Sequence, residues 1–230
     1  MIVAIDGPSG AGKSTLAKRI AKDLRFTYLD TGAIYRALAL KILRRAVDLN
    51  DTAALSAIVN ETAIDLRERN GQIQVFLDGE DVSASIRAPE VSQMASRASA
   101  LAMVRHRLLD LQRALGRRGN VVAEGRDIGT VVFPDAQVKI FLDASIEERA
   151  RRRCDELHAA GRAVSLQETI REMEERDRRD SERDIAPLRK ADDAVALDSS
   201  GLTADGVAEK VLQLIKSESS KIKNDRSLGI

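Results

Sequence analysis

Near its amino terminus the chain reads Gly7-Pro8-Ser9-Gly10-Ala11-Gly12-Lys13-Ser14. This stretch fits the phosphate-binding loop pattern G-x-x-x-x-G-K-[ST] without a mismatch. A short apolar run over 2–5 precedes it and is typical of a buried parallel strand. The apolar residues that follow recur at helical spacing and predict a helix over 15–24. The stretch therefore joins a strand to a helix, which is the context that the motif requires.

The glycines of this loop indicate what it can bind. Glycine allows backbone angles that are closed to other residues, so successive N–H groups can point inward at phosphate oxygens. The following helix adds the positive end of its dipole. In this pattern Lys13 reaches the β- and γ-phosphates, and the Ser14 hydroxyl binds Mg²⁺. The loop predicts a nucleoside triphosphate with Mg²⁺ but does not identify the phosphate acceptor.

Composition limits the classes to which the chain can belong. Its 230 residues suit one large α/β domain, and its formal net charge of +1 does not favour general binding to nucleic acid or membranes. The single cysteine, Cys154, excludes an intrachain disulfide and is typical of a reducing compartment. No apolar run reaches the length of a membrane span. The amino terminus enters a strand at once and leaves no room for a signal peptide, so we expect a cytoplasmic protein.

Strand and helix patterns alternate along most of the chain. Further strands are predicted over 26–29, 120–123, 138–142 and 194–197, with helices between them and a last helix over 203–216. This alternation is typical of a parallel sheet covered by helices on both faces. With the first strand, the pattern predicts a sheet of five parallel strands.

A different pattern interrupts that sheet over 58–96. Strand-like runs over 63–69 and 72–77 flank Asn70-Gly71, and an Asn-Gly pair between such runs is the strongest short hairpin signal. A third strand is predicted over 82–86. We therefore predict an inserted subdomain with a small antiparallel sheet.

Two arginine-rich helices follow the fourth core strand. Capping boxes are predicted at Ser145-Ile146-Glu147-Glu148 and Ser165-Leu166-Gln167-Glu168, on either side of a break at Gly161. Acidic neighbours at helical spacing indicate solvated helix faces for most of the arginines. Phosphoryl transfer, however, needs mobile cations that close over the transferring group, so we expect a minority to act in a lid over 149–176. The arginines concerned are Arg149, Arg151, Arg152, Arg153, Arg176, Arg178, Arg179 and Arg183.

Polar residues stand where the predicted strands end. Asp6 closes the first strand, and residues 30–32, 124–127 and 198–199 follow three others. The carboxyl ends of parallel strands meet at one edge of a sheet, where ligands bind. At that edge Arg126 can clamp a phosphate and Asp127 can accept from an amine, whereas Asp30 is equally compatible with a helix cap.

Four stretches together resemble the bacterial cytidylate kinase family. They are GPSGAGK over 7–13, DTGAIYR over 30–36, EGRDIGTVVFP over 124–134 and RDRRD over 176–180. The resemblance covers nearly the whole chain, about 2–214, and its middle stretches are far more specific than the glycine-rich loop. It implies transfer of a phosphoryl group from ATP to CMP or dCMP.

The resemblance also implies an architecture. It implies a single P-loop kinase domain over 1–230 with a three-layer α/β fold and a five-stranded parallel sheet. A nucleoside-monophosphate-binding insertion over 58–96 and a helical lid over 149–176 would be added to this domain. The expected partners are the small molecules ATP and CMP or dCMP with Mg²⁺, without nucleic acid or membrane, and the chain is expected to be a monomer.

Individual roles follow from the same resemblance. The residues expected to bind ATP are Gly7, Pro8, Ser9, Gly10, Ala11, Gly12, Lys13, Ser14 and Thr15. The residues expected to bind CMP are Thr31, Arg36, Ser96, Arg105, Arg126, Asp127, Arg176, Asp180 and Arg183. Lys13, Arg126 and Arg176 would be catalytic, and Ser14 would hold the metal.

The expected CMP-binding residues divide by the part of the nucleotide that they contact. Thr31, Arg36 and Arg126 would hold the acceptor phosphate, and the residues expected to read the cytosine are Ser96, Arg105 and Asp127. The residues expected at the sugar or phosphates are Arg176, Asp180 and Arg183. A carboxylate such as Asp127 accepts from the N4 amine of cytosine, which uracil lacks. The chain has Glu124 where the family more often has Asp, and Thr31 where Ser is common.

Other functions stay open from the residues alone. An enzyme of the same fold could use another acceptor, such as UMP or shikimate. A nucleotide-dependent switch is a second alternative, although the Asn-Lys-x-Asp motif of guanine-specific switches does not occur. A nucleic-acid binder that uses the arginines is a third, and the near-zero net charge argues against it.

Overall fold

The structure is a computed structural model, and it describes residues 1–69, 72–117, 119–159 and 161–227. The strands are β1 Ile2–Asp6, β2 Thr27–Asp30, β3 Ile64–Arg69, β4 Gln72–Leu77, β5 Glu80–Asp81, β6 Val121–Gly125, β7 Val138–Asp143 and β8 Val195–Asp198. The helices are α1 Lys13–Leu24, α2 Thr31–Arg44, α3 Thr52–Glu61, α4 Pro89–Ala98, α5 Ala102–Gly116, α6 Ile146–Ala159, α7 Leu166–Glu182 and α8 Ala204–Ser227.

The larger sheet is parallel throughout and runs in the order β2-β6-β1-β7-β8. Its central strand β1 is buried on both faces, because Ala4 packs with the core that includes α2, α3 and α5, whereas Val3 and Ile5 pack with α1 and α8. Successive side chains of a strand point to opposite faces, so a continuous apolar run such as this one suits a sheet between two helical layers. The predicted three-layer fold and five-stranded parallel sheet are confirmed.

The inserted sheet has the order β3-β4-β5 and is antiparallel. The prediction of a third strand over 82–86 is wrong, since β5 covers only Glu80–Asp81 and a turn of 3₁₀ helix spans Ser85–Arg87. Val82 and Ile86 are instead buried in a core shared with α2 and α4. Their spacing of four residues favours a helical turn over an alternating strand. The predicted Asn70-Gly71 turn lies outside the described residues.

The helix ends agree fully with one predicted capping box and in part with the other. Ser165 and Glu168 form the complete predicted capping box at the start of α7. The box predicted at Ser145 is only half formed, because its hydroxyl accepts from Glu148 N at 3.3 Å while its own N–H donates to Ser200 Oγ at 3.0 Å. The last helix, α8, continues to Ser227, well beyond the predicted end. Within the described ranges, none of the helices has both the length and the apolarity that crossing a membrane requires.

Candidate active site

The phosphate loop, residues 7–14, connects β1 to α1. Gly7, Gly10 and Gly12 have φ angles of 149°, 76° and 91°, which L-residues rarely adopt. A Cβ atom on Gly7 would lie 1.9 Å from the Leu142 carbonyl oxygen, and one on Gly10 would lie 2.9 Å from the Arg149 carbonyl oxygen. The loop thus takes its shape because glycine alone fits between β7 and the helix α6.

Lys13 lies at the centre of a group of cations. Its ammonium group is buried and donates to the Pro8 carbonyl oxygen at 2.6 Å. Burial, reinforced by the like charges of Arg126 and Arg176, lowers the pKa of Lys13 to about 7, although Glu124 and Asp6 act in the opposite direction. We call Lys13, Arg126 and Arg176 the cation cluster. Burial and the mutual repulsion of these cations disfavour the charged forms of Lys13 and Arg176, as expected of a site for a highly charged anion.

Arg176 belongs to this cluster although it lies on α7. Burial and the nearby charge of Arg126 lower its pKa to about 10. Its Nε atom is buried without a hydrogen-bond partner among the described residues. A buried donor that lacks a partner is costly and indicates that a ligand supplies one.

Glu124 connects the phosphate loop to the next strand. The Ser14 hydroxyl donates to Glu124 Oε2 at 2.9 Å, and the Tyr28 hydroxyl donates to Glu124 Oε1. The Thr31 hydroxyl donates to the Glu124 carbonyl oxygen at 2.7 Å. Burial and the nearby Asp30 raise the pKa of Glu124. The longer Glu side chain therefore still reaches Ser14.

A second polar group, which we call the base site, is formed by Arg105, Asp127 and Arg183. Arg105 Nη2 donates to Asp127 Oδ2, and Arg183 Nη2 lies 3.6 Å from Asp127 Oδ1. The side chains of Arg105 and Asp127 are each only 6% exposed. Ser99 joins the group through its carbonyl oxygen, 3.2 Å from Arg105 Nη1. The base site thus holds a carboxylate that is already paired on both oxygens.

Ser96 lies next to the base site on α4. Its carbonyl oxygen accepts from the Ser99 hydroxyl at 2.9 Å. Its own hydroxyl is buried and has no hydrogen-bond partner among the residues that the structure describes. This buried hydroxyl is available to a ligand, and the role in cytosine recognition that the resemblance implies stays a prediction.

Asp180 joins the two groups. Arg126 Nε donates to Asp180 Oδ2 at 3.0 Å, and Arg183 Nη1 lies 3.9 Å from Asp180 Oδ1. Burial opposes ionisation of this carboxyl group, but Arg126, Arg176 and Arg183 together hold its pKa below the usual range. Asp180 therefore fixes one arginine of the cation cluster and one of the base site.

Arg36 and Asp30 form an ion pair at the carboxyl end of β2. Arg36 Nη2 lies 2.9 Å from Asp30 Oδ2, and Asp30 Oδ1 accepts from Ala33 N at 2.8 Å. Asp30 is thus the cap of α2, one of the two interpretations that its sequence left open. The charge of Arg36 also lowers the pKa of Arg176, which places Arg36 near the cation cluster.

The arginines of α6 and α7 divide into two sets. Arg149 is buried and donates to the Ser9 carbonyl oxygen at 3.1 Å and to Asp177 at 2.5 Å, while Arg152 donates to the Ser199 carbonyl oxygen at 2.9 Å. The arginines that pair with glutamates of their own helix are Arg151, Arg153 and Arg179, and Arg152 also lies 3.3 Å from Glu148. With Arg176 and Arg183, half of the eight arginines turn inward, and the action of a minority of them in a lid stays a prediction.

Two features of the site are not assigned by the sequence motifs. A cavity of about 170 Å³ lies beside the phosphate loop, and its lining includes Thr15, Arg152, Ser199 and Leu202. Ser199 directly follows β8. Its position after a core strand indicates a place at the ligand edge of the sheet, but the sequence motifs assign it no role. Asp6 is the other feature, since its buried carboxylate is engaged by backbone N–H groups of the chain. Its oxygens accept from the backbone N–H groups of residues 128 and 129, both at 2.7 Å, which ties the segment after Asp127 to β1.

The fold and these groups define a class of protein. A glycine-rich loop at the edge of a parallel sheet, with buried cations between that loop and a second polar site, is the arrangement of a P-loop phosphotransferase. A solved structure of an uncharacterized protein from Eubacterium ventriosum shares the fold, with a TM-score of 0.52 and 12% identity over 94% of this chain and 99% of that chain.

Sequence comparison narrows the class to one family. The cytidylate kinase family model matches residues 3–217. A cytidylate kinase of Pelotomaculum thermopropionicum is 50% identical over 211 residues, which cover 91% of this chain and 93% of the relative. A cytidylate kinase of Bacillus licheniformis is 47% identical over 222 residues, which cover 96% and 98% of the two chains. The chain belongs to the cytidylate kinase family.

Proposed function

We propose that the chain transfers the γ-phosphoryl group of ATP to CMP or dCMP and releases ADP with CDP or dCDP. One observation carries the choice of acceptor in the structure: the buried Asp127 carboxylate and its arginines lie next to the cation cluster. An ionised carboxylate can only accept hydrogen bonds, so it favours an amine over a carbonyl group at position 4 of the pyrimidine. Family membership supports the same reaction.

The phosphate loop is proposed to bind the triphosphate of ATP. Its backbone N–H groups and Lys13 face the phosphates, as the glycine conformations and the burial of Lys13 support. The adenine is proposed to occupy the cavity beside the loop. There the guanidinium group of Arg152 is fixed by Ser199, and a fixed planar guanidinium can stack on an aromatic ring.

Mg²⁺ is proposed to bind at Ser14. Hydroxyl and carboxylate oxygens suit this cation, and the Ser14 hydroxyl lies 2.9 Å from the Glu124 carboxylate. Within the described ranges, no group of three or more His, Cys, Asp or Glu side chains is placed to hold a metal ion, so most of the ligands would be phosphate oxygens and water. When bound, Mg²⁺ neutralises charge on the β- and γ-phosphates.

CMP is proposed to bind between the base site and the cation cluster. Asp127 accepts from the N4 amine, while Arg105 and the free hydroxyl of Ser96 serve the other polar atoms of the ring. A carboxylate has about four lone-pair positions, so Asp127 can accept from cytosine while it keeps its arginines. The residues proposed for the acceptor phosphate are Thr31, Arg36 and Arg126, and those proposed for the sugar and phosphates are Arg176, Asp180 and Arg183.

The transfer itself needs positioning and charge, without a phosphorylated residue. Lys13, Arg126 and Arg176 surround the place where the phosphoryl group passes from donor to acceptor. They stabilise the charge that spreads over its oxygens, and their fixed positions avoid reorganisation during the reaction. The two lid helices exclude water, which would otherwise compete as the acceptor.

A coupled assay of ADP release tests the proposal. ATP consumption should require a nucleoside monophosphate and should be fastest with CMP or dCMP, with UMP, AMP and shikimate as alternative acceptors. Fastest turnover with another acceptor would contradict the assignment of the base site. Slow hydrolysis that is unaffected by any acceptor would indicate a nucleotide-dependent switch instead.

A further inference from the structure

Tyr28 lies on β2 and has no role in the reaction proposed above. Its hydroxyl donates to Glu124 Oε1, on the carboxylate oxygen opposite to the one that accepts from Ser14 at 2.9 Å. Each oxygen of this buried carboxylate is therefore held by one hydroxyl group, the first from β2 and the second from α1. Tyr28 and Ser14 together fix the direction in which the carboxylate faces.

The ring of Tyr28 is itself held in place. It is partly buried and packs with the core between the sheet and α1, and the Lys18 ammonium group lies 5.7 Å from its centroid. The position of the hydroxyl group is therefore set by the fold, independently of any ligand. A rigid donor of this kind can orient a flexible partner.

Glu124 is a partner that needs such orientation. A glutamate side chain has one more rotatable bond than an aspartate, and the positive charge of Lys13 attracts this carboxylate. A Glu124 released at Oε1 could turn toward Lys13 and lose its contact with Ser14. The Tyr28 hydroxyl opposes that rotation.

We propose that Tyr28 is a positioning residue that directs the Glu124 carboxylate at Ser14 and thereby raises the affinity of the nucleotide site for a divalent cation. The inference rests on the metal site proposed at Ser14. Tyr28 is not among the residues proposed to bind substrate or metal and acts through Glu124, although its hydroxyl also lies near Ser14. Residues in such outer positions typically change metal affinity by about 10- to 100-fold.

Binding of Mn²⁺ measures this role without relying on turnover. Free Mn²⁺ is followed by electron paramagnetic resonance during titration of the full chain with saturating ADP. We expect Tyr28→Phe, which removes one oxygen and keeps the ring, to weaken Mn²⁺ binding about tenfold. The affinity for ADP without metal and the KM for CMP should not change. Lys18→Met is the matched control, because it alters the surroundings of the ring and keeps the hydroxyl, and it should bind Mn²⁺ like the wild type.

A double-mutant cycle with Glu124→Asp assigns the effect to the pair. The shorter aspartate cannot span from Tyr28 to Ser14 as Glu124 does, so Glu124→Asp alone should weaken Mn²⁺ binding, and adding Tyr28→Phe should change it little further. If Tyr28→Phe does not fold, the Mn²⁺ affinity of Glu124→Asp still shows whether the contact between Glu124 and Ser14 controls metal binding.

Three results would overturn the inference. A folded Tyr28→Phe protein with a lower Tm but wild-type affinity for Mn²⁺ would show a structural role only. Fully additive effects of the two substitutions would show that Tyr28 does not act through Glu124. A wild-type protein that binds ADP but not Mn²⁺ would refute the proposed metal site itself, which distinguishes that failure from the other two.

Discussion

The cation cluster and the base site lie at the same edge of one sheet, yet they handle charge in opposite ways. In the cation cluster, burial and like charges lower the pKa of Lys13 to about 7 and that of Arg176 to about 10. In the base site, Asp127 lies between Arg105 and Arg183, so opposite charges are paired within the protein. In the first group the like charges of Lys13, Arg126 and Arg176 lie close together, whereas in the second the Asp127 carboxylate has an arginine at each oxygen before any ligand binds.

This difference suits the two tasks. Like charges held close together in a buried site destabilise the folded chain, and a bound polyphosphate reduces that cost, so binding energy is directed at the transferring group. A base site with fixed partners instead discriminates, because a ligand with the wrong polar atoms leaves a buried charge unpaired. The cluster should therefore respond to any suitable anion, and the base site only to the correct ring.

The largest expected effect is on the cluster. Lys13→Ala should lower kcat by at least about 100-fold, as loss of one group that stabilises transition-state charge typically does. Its Tm should not fall, because the substitution removes a buried cation that lies beside two others. Turnover and thermal unfolding of the same preparation measure both quantities.

Arg151→Ala is the matched control, since Arg151 is exposed and pairs with Glu148 on its own helix. It should leave kcat unchanged. Near-wild-type turnover in a folded Lys13→Ala protein would refute the assignment of the phosphate loop.

The second prediction concerns discrimination by the base site. Wild type should prefer CMP to UMP by at least roughly tenfold in kcat/KM, about 1.4 kcal/mol. Asp127→Asn should reduce that ratio to within about threefold, because an amide can also donate to the uracil carbonyl group. The ratio of kcat/KM for the two substrates, measured on each protein, checks the prediction.

Asp180→Asn serves as its control. Asp180 pairs with Arg126 and lies near Arg183, but the sugar and phosphate that it is proposed to contact are the same in CMP and UMP. It should lower activity on both substrates alike. An unchanged ratio in Asp127→Asn would mean that Asp127 only orients its arginines.

The third prediction separates the two groups by their ligands. Inorganic tripolyphosphate at 100 times its Kd should stabilise the protein by about 2.7 kcal/mol. For a chain of this size that corresponds to a Tm increase on the order of 5–10 °C. Cytidine, which lacks a phosphate, should raise the Tm much less at equal concentration. Differential scanning fluorimetry would contradict the comparison if cytidine gave the larger shift, or if Lys13→Ala responded to tripolyphosphate like wild type.

The sequence predicted the elements whose signals are local. The phosphate loop, the strands on either side of it and the box at Ser165 depend on neighbouring residues, and each lies where it was expected. The segment over 82–86 was misassigned because Val82 and Ile86 have strand propensity, but the core against α2 requires them at helical spacing. Tertiary burial outweighed propensity there.

The site could be predicted only in part for a related reason. Residues such as Lys13 and Asp127 belong to recognisable motifs. The inward orientation of Arg149, and the pairing of Tyr28 with Glu124 across 96 positions, depend on contacts between elements that are distant in sequence. No local pattern encodes such contacts, so the geometry of the fold was needed to find them.

The smallest expected effect is on the proposed lid, the helix pair α6 and α7. Arg149 on α6 contacts the phosphate loop, and Asp180 on α7 pairs with Arg126 and lies near Arg183 of the base site, so closure of this helix pair should need a ligand on each side. Arg162 is exposed in the turn between the two helices and offers a trypsin site. Cleavage there should slow by severalfold when a non-hydrolysable ATP analogue and CMP are both bound, and little with either alone. The fragment that results from cleavage at Arg162 is identified because it is missing in Arg162→Gln. The rate of cleavage at other sites in the chain, measured in the same digest, corrects for general stabilisation by the ligands. Equal rates at Arg162 with and without the ligand pair would mean that the helices do not close and that their exposed arginines are only solvated surface.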